Sequence, residues 1–180
     1  MALRMDVNNL DLNKKYDRIV SIEMFEHVRN YKLILKALNN VLKPDGRLFI
    51  HIFCHKKLTY FYEMKNSFDW MTKYFFQGGI MPSKDIFKYF EDELEIINQW
   101  DINGNHYSKT CKAWLKNHYK NKKKILDIFD KHYDEPKIWF NRWRIFFLSC
   151  EAFFALNNGR EYFVAVSYTH LTLPTTGMGG

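Results

Sequence analysis

Residues 16–28 read Tyr16-Asp17-Arg18-Ile19-Val20-Ser21-Ile22-Glu23-Met24-Phe25-Glu26-His27-Val28. Arg18–Ile22 is β-branched and largely apolar, the pattern of a short strand buried on both faces of a sheet. It ends in two carboxylates and an imidazole. Ligands of open α/β sheets bind outside the carboxyl ends of the strands, so this is where chemistry is expected. Working outward, Asn30 is placed to cap a helix over residues 31–42, with Leu33, Ile34, Ala37, Leu38 and Val41 on one face. Pro44-Asp45-Gly46 is a turn that stops it, and residues 47–53 form a second strand. Strand, helix, turn, strand is a βαβ unit, so the fold class is α/β with a mostly parallel sheet and flanking helices.

The remaining pattern is looser. Residues 1–7 read as a strand with Asp6 near its end, followed by a polar connection over 8–15. Residues 61–76 read as helical, Gly78-Gly79 as a flexible break, and Pro82-Ser83 as the start of a helix reaching Phe90. A strand is expected over 94–99 and two helices over 108–133. An aromatic helix is expected from Pro136 to the stop signal Asn157-Asn158-Gly159, and a last strand over 161–166. Arg144 and Glu151 share a helix face and are expected to pair. After residue 166 charge vanishes and Thr and Gly appear. Residues 167–180 resemble translated sequencing-adapter read-through, which makes 1–166 the domain and 167–180 a non-native tail.

A chain of 180 residues that is 47% hydrophobic suits a single domain. The net charge of +7 comes from lysines, densest at Lys116, Lys120 and Lys122–Lys124. The run reads as a solvated helix face, with weak contact to an anionic membrane surface as the second reading and no nucleic-acid motif behind it. Aromatic residues at 18% serve either as core filling or as a pocket of π faces suited to cationic ligands. Three cysteines without a CxxC pair, and a start without an apolar h-region, point to a cytoplasmic protein with reduced thiols. The apolar run within 138–156 is broken by Arg142, Arg144 and Glu151, which argues for a buried helix rather than a membrane span. No ligand spacing for a metal, no GxSxG and no P-loop is present.

Five stretches carry a resemblance: YDRIVSIEMFEHVRNY, LKPDGRLFIHIFCHK, DWMTKYFFQGGIMPS, WDINGNHYSKT followed by WL, and WRIFFLSCEAFFALNNGREYFVA. In this order they resemble the coclaurine N-methyltransferase-like group of the cyclopropane-fatty-acyl-phospholipid synthase family, whose members use S-adenosyl-L-methionine (SAM). The resemblance covers residues 1–166. It implies the C-terminal half of a Rossmann-like class I SAM methyltransferase with a helical acceptor-site insertion. The family's first strands and Gly-rich cofactor turn have no counterpart, since the first glycine of the chain is Gly46.

The implied activity is SAM-dependent methyl transfer to a small acceptor, an amine nitrogen first. An alkyl amine is largely protonated at neutral pH and needs a base before it can attack. By resemblance Glu26 and His27 match the catalytic pair and Glu23 its acidic partner; acids decorating a helix N-terminus are the plain alternative. Asp6, Val7 and Ser21 fall to the cofactor. His51 and Tyr107 match, with Glu26, positions that hold a bicarbonate base in the cyclopropane synthases; a core histidine and a packed ring are the alternatives. Trp143, Phe146 and Phe153 would line the acceptor pocket, or form a core stripe. Two further readings stay open: methylene transfer to lipid acyl chains, and a non-catalytic truncated interaction module.

Overall fold

The computed structural model describes residues 5–7 and 14–171. Strand β1 (Tyr16–Ile22) runs parallel to β2 (Leu42–His55), with Arg18 opposite Arg47 and Ile22 opposite His51. Helix α1 (Tyr31–Val41) makes the crossover, and the Asn30 side chain accepts the Leu33 N–H at 3.1 Å, the expected cap. The buried stripe is Tyr31, Ile34, Leu35, Leu38 and Val41, while Leu33 is 63% exposed. Ile34, Leu38 and Val41 of the expected face are buried, but Tyr31 and Leu35 take the places expected of Leu33 and Ala37. Tyr31 sets the i, i+3, i+4, i+7 series, and that series selects Leu35. Pro44-Asp45-Gly46 is not a separate turn either. β2 starts at Leu42, and its register against β1 jumps between Tyr16/Leu42 and Arg18/Arg47, so residues 43–46 bulge out of a continuous strand.

The chain divides into two units. The first comprises residues 1–101 and 165–180, the second 102–164. Two short strands, β3 (Tyr60–Phe61) and β4 (Ile80–Met81), form an antiparallel pair. The four-stranded sheet has the order β1-β2-β6-β5, with β5 at Leu94–Ile102 and β6 at Tyr162–Leu171. Its core is Leu48, Ile50 and Ile52 of β2 with Phe25, Tyr31, Leu35, Phe87, Leu94 and Val166, all essentially inaccessible. Phe25 meets Tyr31 and Phe87 edge-on, at 5.3 and 5.5 Å between ring centroids. β1 was expected to be buried on both faces. Among the described residues it pairs only with β2, and its Val20 and Ile22 are exposed.

Three local expectations change. Residues 61–76 form no continuous helix. Asp69 accepts the N–H groups of Lys65 and Asn66 at 2.8 and 2.9 Å, a local cap that holds a turn, and helix is confined to residues 70–76, with Thr72–Phe76 as a π-turn. Beyond Pro82, a 3₁₀ turn covers Ile86–Phe90. β6 continues past Val166, with Ser167 and Thr169 fully buried and the Thr169 hydroxyl donating to the Leu48 carbonyl at 3.3 Å. The first residues of the expected tail are thus taken into the sheet; 172–180 lie outside the described residues. The expected strand over 1–7 falls mostly outside them as well, and 5–7 are not in a strand.

The second unit is helical: α2 (Gly104–Lys120), α3 (Lys122–Phe129) and α4 (Pro136–Ala155). Ring pairs Tyr107/Phe154 at 4.3 Å, Trp114/Phe147 at 6.1 Å and His118/Phe140 at 3.9 Å descend α2 while climbing α4, so the two helices are antiparallel. α4 ends where Asn157 and Asn158 both adopt left-handed backbone, as its stop signal predicts. The expected Arg144–Glu151 pair does not form. Glu151 lies 3.8 Å from Lys112 on α2, and Arg144 Nε has no hydrogen-bond partner. Residues seven apart on a helix are about 10 Å apart along its axis, and Lys112 is the nearer cation. Among the described residues no helix is long and apolar enough to cross a membrane.

Candidate functional site

The site begins where β1 ends. The Glu23 N–H donates to the His51 carbonyl at 2.9 Å, one step past the Ile22/His51 pair. Glu23 then takes a left-handed backbone, φ 51°. For a residue other than glycine this costs about 1–3 kcal/mol. The reversal throws the chain into the 3₁₀ turn Phe25–His27 and leaves the Glu23 side chain facing β2, with Oε1 3.0 Å from His51 Nδ1. The contact lies off the line of a good hydrogen bond.

Glu26 is fully buried, and neither carboxylate oxygen has a hydrogen-bond partner among the described residues. Burial pushes its carboxyl from an ordinary 4.5 to about 8, the neighbouring Glu23 charge adds to the rise, and its own backbone N–H offsets part of it. His27 is driven the other way. Burial holds its ring below the ordinary 6.5, so it is neutral at pH 7 with a free lone pair. The ring stacks on Phe76 at 5.8 Å between centroids, and Phe76 in turn stacks on Tyr62 at 4.9 Å. At pH 7 the carboxyl of Glu26 keeps its proton next to a neutral imidazole at His27.

Several contributors were not legible in the sequence. Gly79 read as a flexible break. A Cβ there would sit 2.5 Å from the Glu26 carbonyl, so the glycine is required by close approach. Arg29 donates to the Tyr62 and Gly79 carbonyls at 3.0 and 3.3 Å and fastens the same loop. Tyr31 is buried with its hydroxyl unbonded, and burial together with the Glu26 charge raises its pKa. The only signal for it was its place as the first residue after the cap.

Of the expected cofactor residues, Ser21 lies in β1, buried, with an unbonded hydroxyl. Asp6 is exposed and Val7 half-buried, next to residues 8–13, which are outside the description. His51 joins Glu23 as above. Tyr107, Trp143, Phe146 and Phe153 all belong to the helical unit. Trp143 meets Phe146 edge-on at 5.6 Å, the 44% exposed Phe153 lies 5.8 Å from Tyr162, and Tyr107 packs on Phe154. Among the described residues no group of His, Cys, Asp and Glu is large enough to hold a metal ion.

The chain is similar to known proteins in sequence and fold. The family model described as mycolic acid cyclopropane synthetase matches residues 4–161. (S)-Coclaurine N-methyltransferase of Papaver somniferum is 37% identical over 175 residues, covering 94% of this chain and 49% of its own. The cyclopropane-fatty-acyl-phospholipid synthase of Escherichia coli (strain K12) is 34% identical over 106 residues, 58% of this chain and 26% of its own. A crystal structure of coclaurine N-methyltransferase bound to N-methylheliamine and S-adenosylhomocysteine (SAH) superposes with a TM-score of 0.83 at 35% identity, over 92% of this chain and 51% of that one. The α/β sheet is thus that of the class I SAM-dependent methyltransferases. The chain spans about half the length of the N-methyltransferase that it matches.

Proposed function

The chain belongs to the mycolic acid cyclopropane synthetase family, and on that basis we propose that it carries the acceptor-activating part of a SAM-dependent N-methyltransferase acting on a small amine. The observation that supports this most is Glu26: a fully buried carboxylate, bonded through neither oxygen, at the carboxyl end of β1 between Glu23 and His27.

The chemistry follows from the charges. An amine arrives as an ammonium ion. A cation beside Glu26 favours its carboxylate form and reverses the effect of burial, so Glu26 releases its proton to bulk water and pairs with the ammonium. The neutral His27 ring then takes the ammonium proton, which frees the nitrogen lone pair. When bound, SAM supplies an electrophilic methyl group on a sulfonium, transferred by in-line displacement. This chain's part is to hold the amine close, aligned and unprotonated. Ser21, whose buried hydroxyl lacks a partner, is assigned to the cofactor with Asp6 and Val7. His51 holds Glu23 toward the acceptor.

Titrating the chain with coclaurine tests this, in parallel with Glu26→Gln, followed by incubation with SAM and mass analysis of the amine. Binding that weakens about tenfold or more in Glu26→Gln is expected, from loss of a charge-assisted bond. Absent binding, or binding indifferent to the substitution, rejects the assignment. The identity to the cyclopropane synthase supports a second reading, in which an unsaturated phospholipid, not the amine, is the molecule modified.

A further inference from the structure

The helical unit holds a cavity of about 230 Å³, formed by α4 with the end of α2 and the start of α3. Three cations line it: Lys122, the first residue of α3, and Lys137 and Arg144 of α4. Lys137, Asn141 and Arg144 are spaced i, i+4, i+7 and share one helix face. Leu126 and Phe140 supply apolar walls, and the Lys122 ammonium sits 5.6 Å from the Phe140 ring centroid. No carboxylate lines the cavity.

We propose that this cavity binds a phosphate group. Like charges around a small cavity repel, and some lysines elsewhere in the fold are relieved by a carboxylate. Lys43 has Asp17, Lys84 has Asp101, and Lys112 has Glu151. Among the described residues Lys122, Lys137 and Arg144 have no such carboxylate. Arg144 Nε is also buried without a hydrogen-bond partner, an unmet donor on a permanent charge. A phosphate answers each of these. It brings up to two negative charges, accepts the guanidinium fork through two oxygens, and has oxygens left for the two ammonium groups and the Asn141 amide. The phosphate can belong to a free phosphomonoester or to the headgroup of a lipid.

The test uses the full chain at constant ionic strength maintained with chloride. One arm titrates inorganic phosphate calorimetrically. The other measures co-flotation with phosphatidylcholine vesicles with and without phosphatidic acid. Each arm compares wild type with Arg144→Gln, Lys137→Gln and Lys123→Gln, the last a lysine of the same run that does not line the cavity. Saturable binding in either arm, weakened about tenfold or more by Arg144→Gln and by Lys137→Gln but not by Lys123→Gln, is the expected result. Binding in the phosphate arm identifies a soluble ligand, and binding in the vesicle arm alone identifies a lipid headgroup. No binding in either arm overturns the proposal, as does equal weakening by Lys123→Gln, which marks a diffuse charge effect. Lys137 is exposed, so its variant carries the test if Arg144→Gln does not fold.

Discussion

Replacing Glu26 with glutamine should change how the stability of the protein responds to pH. The carboxyl rises from 4.5 to about 8 on folding, chiefly through burial and then through the Glu23 charge. The folded state therefore binds more protons than the unfolded chain between these values, and stability falls as pH rises through that window. At about 1.36 kcal/mol per pH unit, the stability present below pH 4.5 and lost above pH 8 is about 5 kcal/mol. The glutamine side chain keeps the shape and never ionises. His27 and His118, both held below their ordinary value by burial, give the opposite slope below pH 6.5. They are present in both proteins and cancel in the difference. Urea unfolding followed by tryptophan fluorescence from pH 5.5 to 8.5 supplies the comparison. Relative to wild type, the variant should gain about 1 kcal/mol per pH unit across the middle of this range and be the more stable protein at its top. Parallel stability curves would refute the reasoning, because they would mean that Glu26 ionises in the folded state as readily as in the unfolded one.

Three further outcomes follow from the same geometry. The His27 ring should titrate below 6.5 when followed by NMR and move back toward that value in Phe76→Ala, which uncovers it; a wild-type value at or above 6.5 contradicts the burial argument. Gly79→Ala should cost about 1–3 kcal/mol, read as a lower urea midpoint, because its Cβ meets the Glu26 carbonyl at 2.5 Å and backbone must shift; an unchanged midpoint removes the close approach. Asn30→Ala should cost about 1 kcal/mol through loss of the bond to the Leu33 N–H, with Asn30→Asp restoring most of it; equal stabilities of the two variants would show that the cap contributes little.

What the sequence made legible was whatever depends on neighbours along the chain. The strand ending in Glu23-Met24-Phe25-Glu26-His27, the Asn30 cap and the βαβ order are local patterns, and each is found in the fold. The readings that missed depend on partners distant in sequence. Gly79 has its meaning only against Glu26, Glu151 chose Lys112 over Arg144, and Phe61 is drawn into a strand pair with Ile80 of β4. The ring residues of α4 could be placed on a helix face by spacing, but their contacts came from α2. Glu23 shows why the site was only half visible. Its type and position were plain, but its backbone reversal was not, and the reversal is what matters chemically. A glycine in place of Glu23 would make the same turn without strain, yet would remove both the charge beside Glu26 and the contact with His51. The strained residue is thus the point where fold and chemistry are coupled. The turn that places Glu26 in the interior also sets beside it the negative charge that helps keep it protonated until a cation arrives.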